Sequence, residues 1–214
     1  MLTLTSLPTL SEAKHAIIAV GRMFDSKGWA PATAGNYSVR LDDGQFAITA
    51  SGRHKGRLTE ADVIVVDEGG QSLEGTTPSA ETELHLALYR RFENVGAVLH
   101  SHSPGAVALT RALRDADEWT IEGHELLKVF PGISTHRTHV GIPIVENSQD
   151  MADIKRAIAP RLLATPTPPA YLIRDHGLYG WGRTIEEAER VVEAVEWLVA
   201  TELAERSFRN GRTG

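Results

Sequence analysis

The stretch GAVLHSHSPGAVAL, residues 96–109, constrains this chain more than any other. Val95 to Ser101 is a short, mostly apolar run, the length of a buried strand and too short for a buried helix. Ser103-Pro104 then starts a helix, with Ser103 as its cap and Pro104 in the first helical position. A buried strand that feeds a helix belongs to a sheet covered by helices. Side chains alternate along a strand, so His100 and His102 share one face, roughly 6.5–7 Å apart along the backbone. Two imidazoles so placed can share one ion, at about 2.0–2.1 Å from each nitrogen. They also stand at the carboxyl end of the strand, where a sheet opens into a crevice.

The rest of the chain supplies the covering layers. Ser11 to Gly28 reads as a helix capped by Ser11, with Ala13, Ala16, Ile17, Val20, Met23 and Phe24 in a stripe at helical spacing. Strands are expected over Tyr37–Leu41 and Phe46–Ala50, around an Asp42-Asp43-Gly44 turn, and over Val63–Val66. Ala80 to Phe92 reads as a second helix, and Ile142 to Glu146 as another strand. Asp150 to Leu163 reads as a helix bent or broken at Pro160, followed by the stiff connector ATPTPP. Ala170–Ile173 and Leu178–Trp181 are two strands flanking the tight stretch Arg174-Asp175-His176-Gly177. The last helix opens on a capping box, Thr184 to Glu187. With no repeat and no low-complexity linker, the 214 residues read as a single α/β domain with a central mixed, largely antiparallel sheet, residues 1–10 and 207–214 being peripheral tails.

Composition narrows the partners. The net charge of −6 without a Lys/Arg cluster argues against nucleic acid, and no apolar stretch approaches a membrane span. There is no cysteine, which removes disulfides and thiolate metal sites, and the N-terminus lacks a signal-peptide pattern. A cytoplasmic protein is the expectation.

A catalytic metal site needs a third ligand, and His176, in its Asp-His-Gly turn, is the best candidate. By itself a His-x-His pair is a weak signal, because buried histidines are more often plain hydrogen-bonded core residues. His85, four residues after Glu81, reads as half of a surface pair, and His136 and His139 as members of a polar loop. His124-Glu125-Leu126-Leu127-Lys128 begins like the zinc-protease motif but has Lys128 where the second histidine belongs. The turns ATAGNYS (32–38) and TASGRHK (49–55) and the helix start PSAE (78–81) offer backbone N–H groups, hydroxyls and the Lys55 cation to an anion.

Taken in order, TAGN, TASG, PSAE, HSH, DHGL and a long final helix resemble the class II (zinc-dependent) aldolase and adducin-head family from about Ser11 to Arg206. The resemblance implies one Zn²⁺ per subunit on His100, His102 and His176, and a sugar phosphate held by Thr33, Gly35, Asn36, Ser51, Gly52 and Ser79 with Lys55 nearby. It also implies a homotetramer. IEGHELLKVFPGI (121–133), IPIVENSQDM (142–151) and LIRDHGLYGWGRT (172–184) are similar to a branch that dehydrates a 5-methylthio-2-ketose 1-phosphate in methionine salvage. In that branch the acid/base corresponds to Glu125, expected near the metal and desolvated enough for its pKa to rise. In the family's aldolases the role falls to Glu81. The tail TELAERSFRNGRTG lacks the tyrosine that some of those aldolases lend to a neighbouring subunit, which weakens the aldolase or 4-epimerase alternative. A non-catalytic adducin-head-like module would have no need of three metal-placed histidines and two glutamates. Trp119 or Phe130 is expected either to line a thioether pocket or simply to pack in the core.

Overall fold

The computed structural model describes residues 7–164 and 167–211. Its elements are α1 (Leu10–Ser26), β1 (Asn36–Arg40), β2 (Phe46–Thr49), β3 (Val63–Val66), α2 (Thr82–Arg91), β4 (Ala97–Ser101), α3 (Pro104–Ala112), β5 (Glu118–Glu122), β6 (His139–Val145), α4 (Met151–Ile158), β7 (Ala170–Ile173), β8 (Gly177–Gly182) and α5 (Ile185–Gly211). The strands form one eight-stranded sheet in the order β3-β2-β1-β4-β8-β7-β6-β5. Every pairing is antiparallel except β6–β7. Among the described residues no helix is long and apolar enough to cross a membrane.

Alternation along β4 explains the layers. Ala97 and Leu99 point into a core shared with α1, α3 and α5, while Val98 points into a second core with Leu84 and Leu88 of α2 and Ile154 of α4. A strand apolar on both faces must be covered on both, and β4 sits mid-sheet between β1 and β8. The same alternation splits HSHS. His100 and His102 look toward α2, whereas Ser101 Oγ donates a 2.7 Å hydrogen bond to Glu196 Oε1 on α5. Glu196 is buried, and desolvation raises its pKa while the Ser101 and Ser103 hydroxyls oppose that rise.

Some expectations move. α1 is capped by Thr9, not Ser11: Thr9 and Glu12 form the capping box two residues earlier. The tails are shorter than expected, because α1 starts at Leu10 and α5 runs to Gly211; residues 1–6 and 212–214 lie outside the described ones. β5, pairing with β6 from Glu118↔Pro143 to Glu122↔His139, has no counterpart in the sequence reading, and His139 belongs to a strand, not a loop. Glu118, Thr120 and Glu122 are exposed on this edge strand, while Trp119 and Ile121 are buried, so the apolar signal is only two residues deep. Trp119 and Phe130 both pack in the α5-side core.

Candidate metal centre

Four residues from three segments meet at the carboxyl end of β4. One ligand atom from each of Glu81, His100, His102 and His176 lies within 4.8 Å of the others. β4 supplies His100 and, just past its end, His102. The turn between β7 and β8 supplies His176, and Glu81 sits at the N-terminus of α2. Glu81 Oε2 is 3.2 Å from His100 Nε2, and its Oε1 is 3.3 Å from His176 Nε2. The two Nε2 atoms are 3.4 Å apart.

The donor set suits a metal. His100 Nδ1 donates to the Leu178 carbonyl at 3.0 Å, and His176 Nδ1 donates to Asn147 Oδ1 at 3.2 Å. Each bond places the ring proton on the outer nitrogen, leaving an Nε2 lone pair aimed inward. Burial, with the neighbouring histidines adding to it, holds His100 well below the usual histidine range and His102 down to about 3. Neutral imidazoles facing one another and a carboxylate bring lone pair against lone pair, an arrangement that a divalent cation relieves.

The scaffold around the cluster is tight. Arg174, buried behind the turn, donates to the carbonyls of Thr110, Leu113 and Ala116 at 2.8–3.1 Å and pairs with Glu146 at 2.7 Å. It closes the end of α3 and fixes the turn carrying His176. A side chain at Gly177 would put Cβ 2.0 Å from the Ser101 carbonyl, so the glycine lets β8 lie against β4 beside His100. Tyr179 stacks on the His100 ring, centroids 4.1 Å apart.

The loops expected to hold phosphate do come together. Ser51 N–H bonds the Thr77 carbonyl at 3.0 Å, and Ala50 bridges Pro78, which brings Ser51 and Gly52 beside Ser79. Thr33, Ser51 and Gly52 are exposed. Gly35 is needed for clearance, since a Cβ there would sit 2.8 Å from the His100 carbonyl. Two residues play other parts. Lys55 is buried and its Nζ donates to the Thr33 and Arg53 carbonyls at 2.7 and 2.6 Å, tying the two turns together; desolvation pushes it down to about 8. Asn36, 4% exposed, spends its amide on Glu81 and His85.

His85 is not a surface residue. It is fully buried, and desolvation lowers its pKa to about 4. Glu125 departs most from expectation. It is not part of the cluster: its side chain is 69% exposed, bonded to Lys128 and 3.4 Å from His136, and these partners lower its pKa rather than raise it. The roles of Asn36, His85, Lys55 and Glu196 escaped sequence reading because each depends on long-range burial. The one local hint was the helical spacing of Glu81 and His85.

Residues 15–203 match the sequence profile of the class II aldolase and adducin N-terminal domain. The chain belongs to that family. Its relatives include proteins named methylthioribulose-1-phosphate dehydratase. The one from Methylococcus capsulatus is 47% identical over 85% of this chain and 88% of its own length, and the one from Acidiphilium cryptum is 44% identical over 94% of each. Among solved structures, YgbL from Escherichia coli, described as a putative aldolase/epimerase/decarboxylase, superposes with a TM-score of 0.76 at 27% identity, covering 90% of this chain and 88% of that one. L-fuculose-1-phosphate aldolase from Thermus thermophilus gives 0.74 at 26% identity, covering 92% and 95%. The family's sheet, flanked by helices on both faces, is the sheet described above.

Proposed function

We propose that this member of the family dehydrates 5-methylthioribulose 1-phosphate to 2,3-diketo-5-methylthiopentyl 1-phosphate, a hydro-lyase step of methionine salvage. The observation that carries the reading is the 44–47% identity to dehydratases of that name over most of both lengths. The converged cluster supports it, because the reaction removes a proton from carbon and needs a cation near the carbonyl.

His100, His102 and His176 would hold one Zn²⁺, with Glu81 beside it. When bound, the metal supplies Lewis-acid polarisation of the ketose oxygens. The protein's own groups do the rest. Thr33, Gly35, Ser51, Gly52 and Ser79 present N–H groups and hydroxyls to the phosphate, and Lys55 braces two of their turns. Dehydration breaks C3–H, forms C3=C4 and breaks C4–O, so one proton leaves carbon and one must reach the departing hydroxyl. The resulting enol tautomerises to the diketone. Glu81, already at the cluster, is one proton-transfer group. Glu125 is the other. Being exposed within its own chain, it would serve the site of a neighbouring subunit in a cytoplasmic homotetramer. Exposed Trp197, near His124, and Val129 beside the same segment give that contact apolar surface.

Steady-state incubation with methylthioribulose 1-phosphate tests the assignment. Diketone formation is expected, lost on chelation and restored by zinc. Release of an aldehyde instead would make the enzyme an aldolase.

A further inference from the structure

Behind Glu81 lies a run of buried polar side chains facing away from the histidine cluster. Asn36 Nδ2 donates to Glu81 Oε2 at 2.7 Å. Asn36 Oδ1 lies 2.5 Å from His85 Nε2, His85 Nδ1 lies 2.7 Å from Ser38 Oγ, and Ser38 Oγ lies 2.8 Å from the Tyr89 hydroxyl. All of these side chains are buried; Asn36 and Ser38 come from β1, and His85 and Tyr89 from α2. The chain has one sensible polarity. An amide oxygen only accepts, so His85 Nε2 carries the proton and donates it. The neutral ring then offers Nδ1 as an acceptor, which the Ser38 hydroxyl fills, and Tyr89 donates to Ser38. With its oxygen taken by His85, the Asn36 amide turns its NH₂ to Glu81. Flipping the amide would set its oxygen against the Glu81 carboxylate, a clash of acceptors that a change of His85 tautomer cannot relieve. Tyr179, edge-on to His85 at 5.6 Å and stacked on His100, walls the same space.

We propose that Asn36 and His85 are positioning residues: the buried chain running from Tyr89 fixes the Asn36 amide, which pins Glu81 against the three histidines. The Asn36 side-chain amide is thereby committed to Glu81 and His85. The proposal rests on the cluster being the metal centre of the reaction.

The test compares His85→Phe, His85→Gln and Asn36→Ala with wild type in two ways. One is kcat and KM on methylthioribulose 1-phosphate; the other is the visible absorption spectrum after reloading metal-free protein with cobalt(II). His85→Phe and Asn36→Ala are expected to lower kcat roughly tenfold to a hundredfold through misplacement of Glu81. KM should stay within about twofold. Both variants should shift the cobalt bands, and His85→Gln, whose amide can replace the Nε2–H donor, should recover most of both losses. Wild-type kcat and cobalt spectrum in folded His85→Phe would overturn the proposal. So would Asn36→Ala with raised KM and unchanged kcat, the signature of a phosphate ligand. Where His85→Phe does not fold, Asn36→Ala decides. If wild-type protein fails to dehydrate the substrate, the assigned reaction falls. The spectra still decide here: unshifted bands overturn the proposal, and bands shifted by His85→Phe and restored by His85→Gln uphold it.

Discussion

Glu81 and Glu125 are the two carboxyls proposed for proton transfer, and the fold treats them in opposite ways. Glu81 keeps only 12% of its side chain exposed, donor-bonded by Asn36 and within 3.3 Å of two imidazole nitrogens. Glu125 stands in solvent on the short helical turn after β5, held by Lys128 and His136. Burial builds an environment that a substitution elsewhere in the chain can disturb. An exposed carboxyl has no such environment until something covers it. The difference teaches that a glutamate's identity in a motif says little about its readiness to move protons; its surroundings decide that.

The largest expected effects bear on this contrast. Glu81→Gln should lower kcat roughly 10²–10⁴-fold, as loss of a general acid or base does. Glu125→Gln should also lower it by roughly 10²-fold or more, while metal analysis still finds about one ion per chain. Dissociating and reassembling a mixture of Glu125→Gln and His100→Ala chains should recover part of the activity, because a site that takes its histidines from a Glu125→Gln chain and its carboxyl from a His100→Ala chain has both parts intact. Full activity of Glu125→Gln alone would remove that residue from the mechanism.

A smaller effect sharpens the buried side. His85 titrates at about 4 in the folded chain against an ordinary 6.5, so between those values the unfolded chain binds the proton and the folded one does not. Stability should therefore fall as pH drops through that window, by up to about 3 kcal/mol, and be insensitive to this group above it. Urea midpoints from pH 7 down to 4 should show a shallower slope for His85→Phe. An unchanged slope would place the acid sensitivity elsewhere.

The smallest effect concerns the turn that delivers His176 to Glu81. Asp175 has φ of 56°, a conformation that a β-branched side chain resists. Asp175→Val should cost about 1–2 kcal/mol in thermal unfolding, and Asp175→Gly little or nothing.

Much of this architecture was legible because the signals were local. Val63–Val66 and Ala170–Ile173 are short apolar runs between breakers, and the strands coincide with them. Ser103 and Pro104 begin α3 as their chemistry requires. β5 was missed because an edge strand buries only alternate residues, here Trp119 and Ile121. The clustering of His100, His102 and His176 was legible as a pair plus a turn, since strand alternation fixes the first two. Lys55 and Asn36 were read as anion contacts because polar residues in Gly-rich turns look the same whether they face solvent or the interior. Only the packing of α1, β1 and α2 around them settles which. His85 was read as a surface pair for the related reason that helical spacing identifies neighbours and not the side they face.

The HSHS run carries one last implication. Its odd and even members are bolted to different layers, the imidazoles toward α2 and the hydroxyls to Glu196 on α5. Sliding β4 by a single position would hand serines to the Glu81 cluster and rings to the buried glutamate, so site and scaffold would fail in one stroke. Misaligned copies of this enzyme should therefore be misfolded ones, with no half-working form for a cell to tolerate.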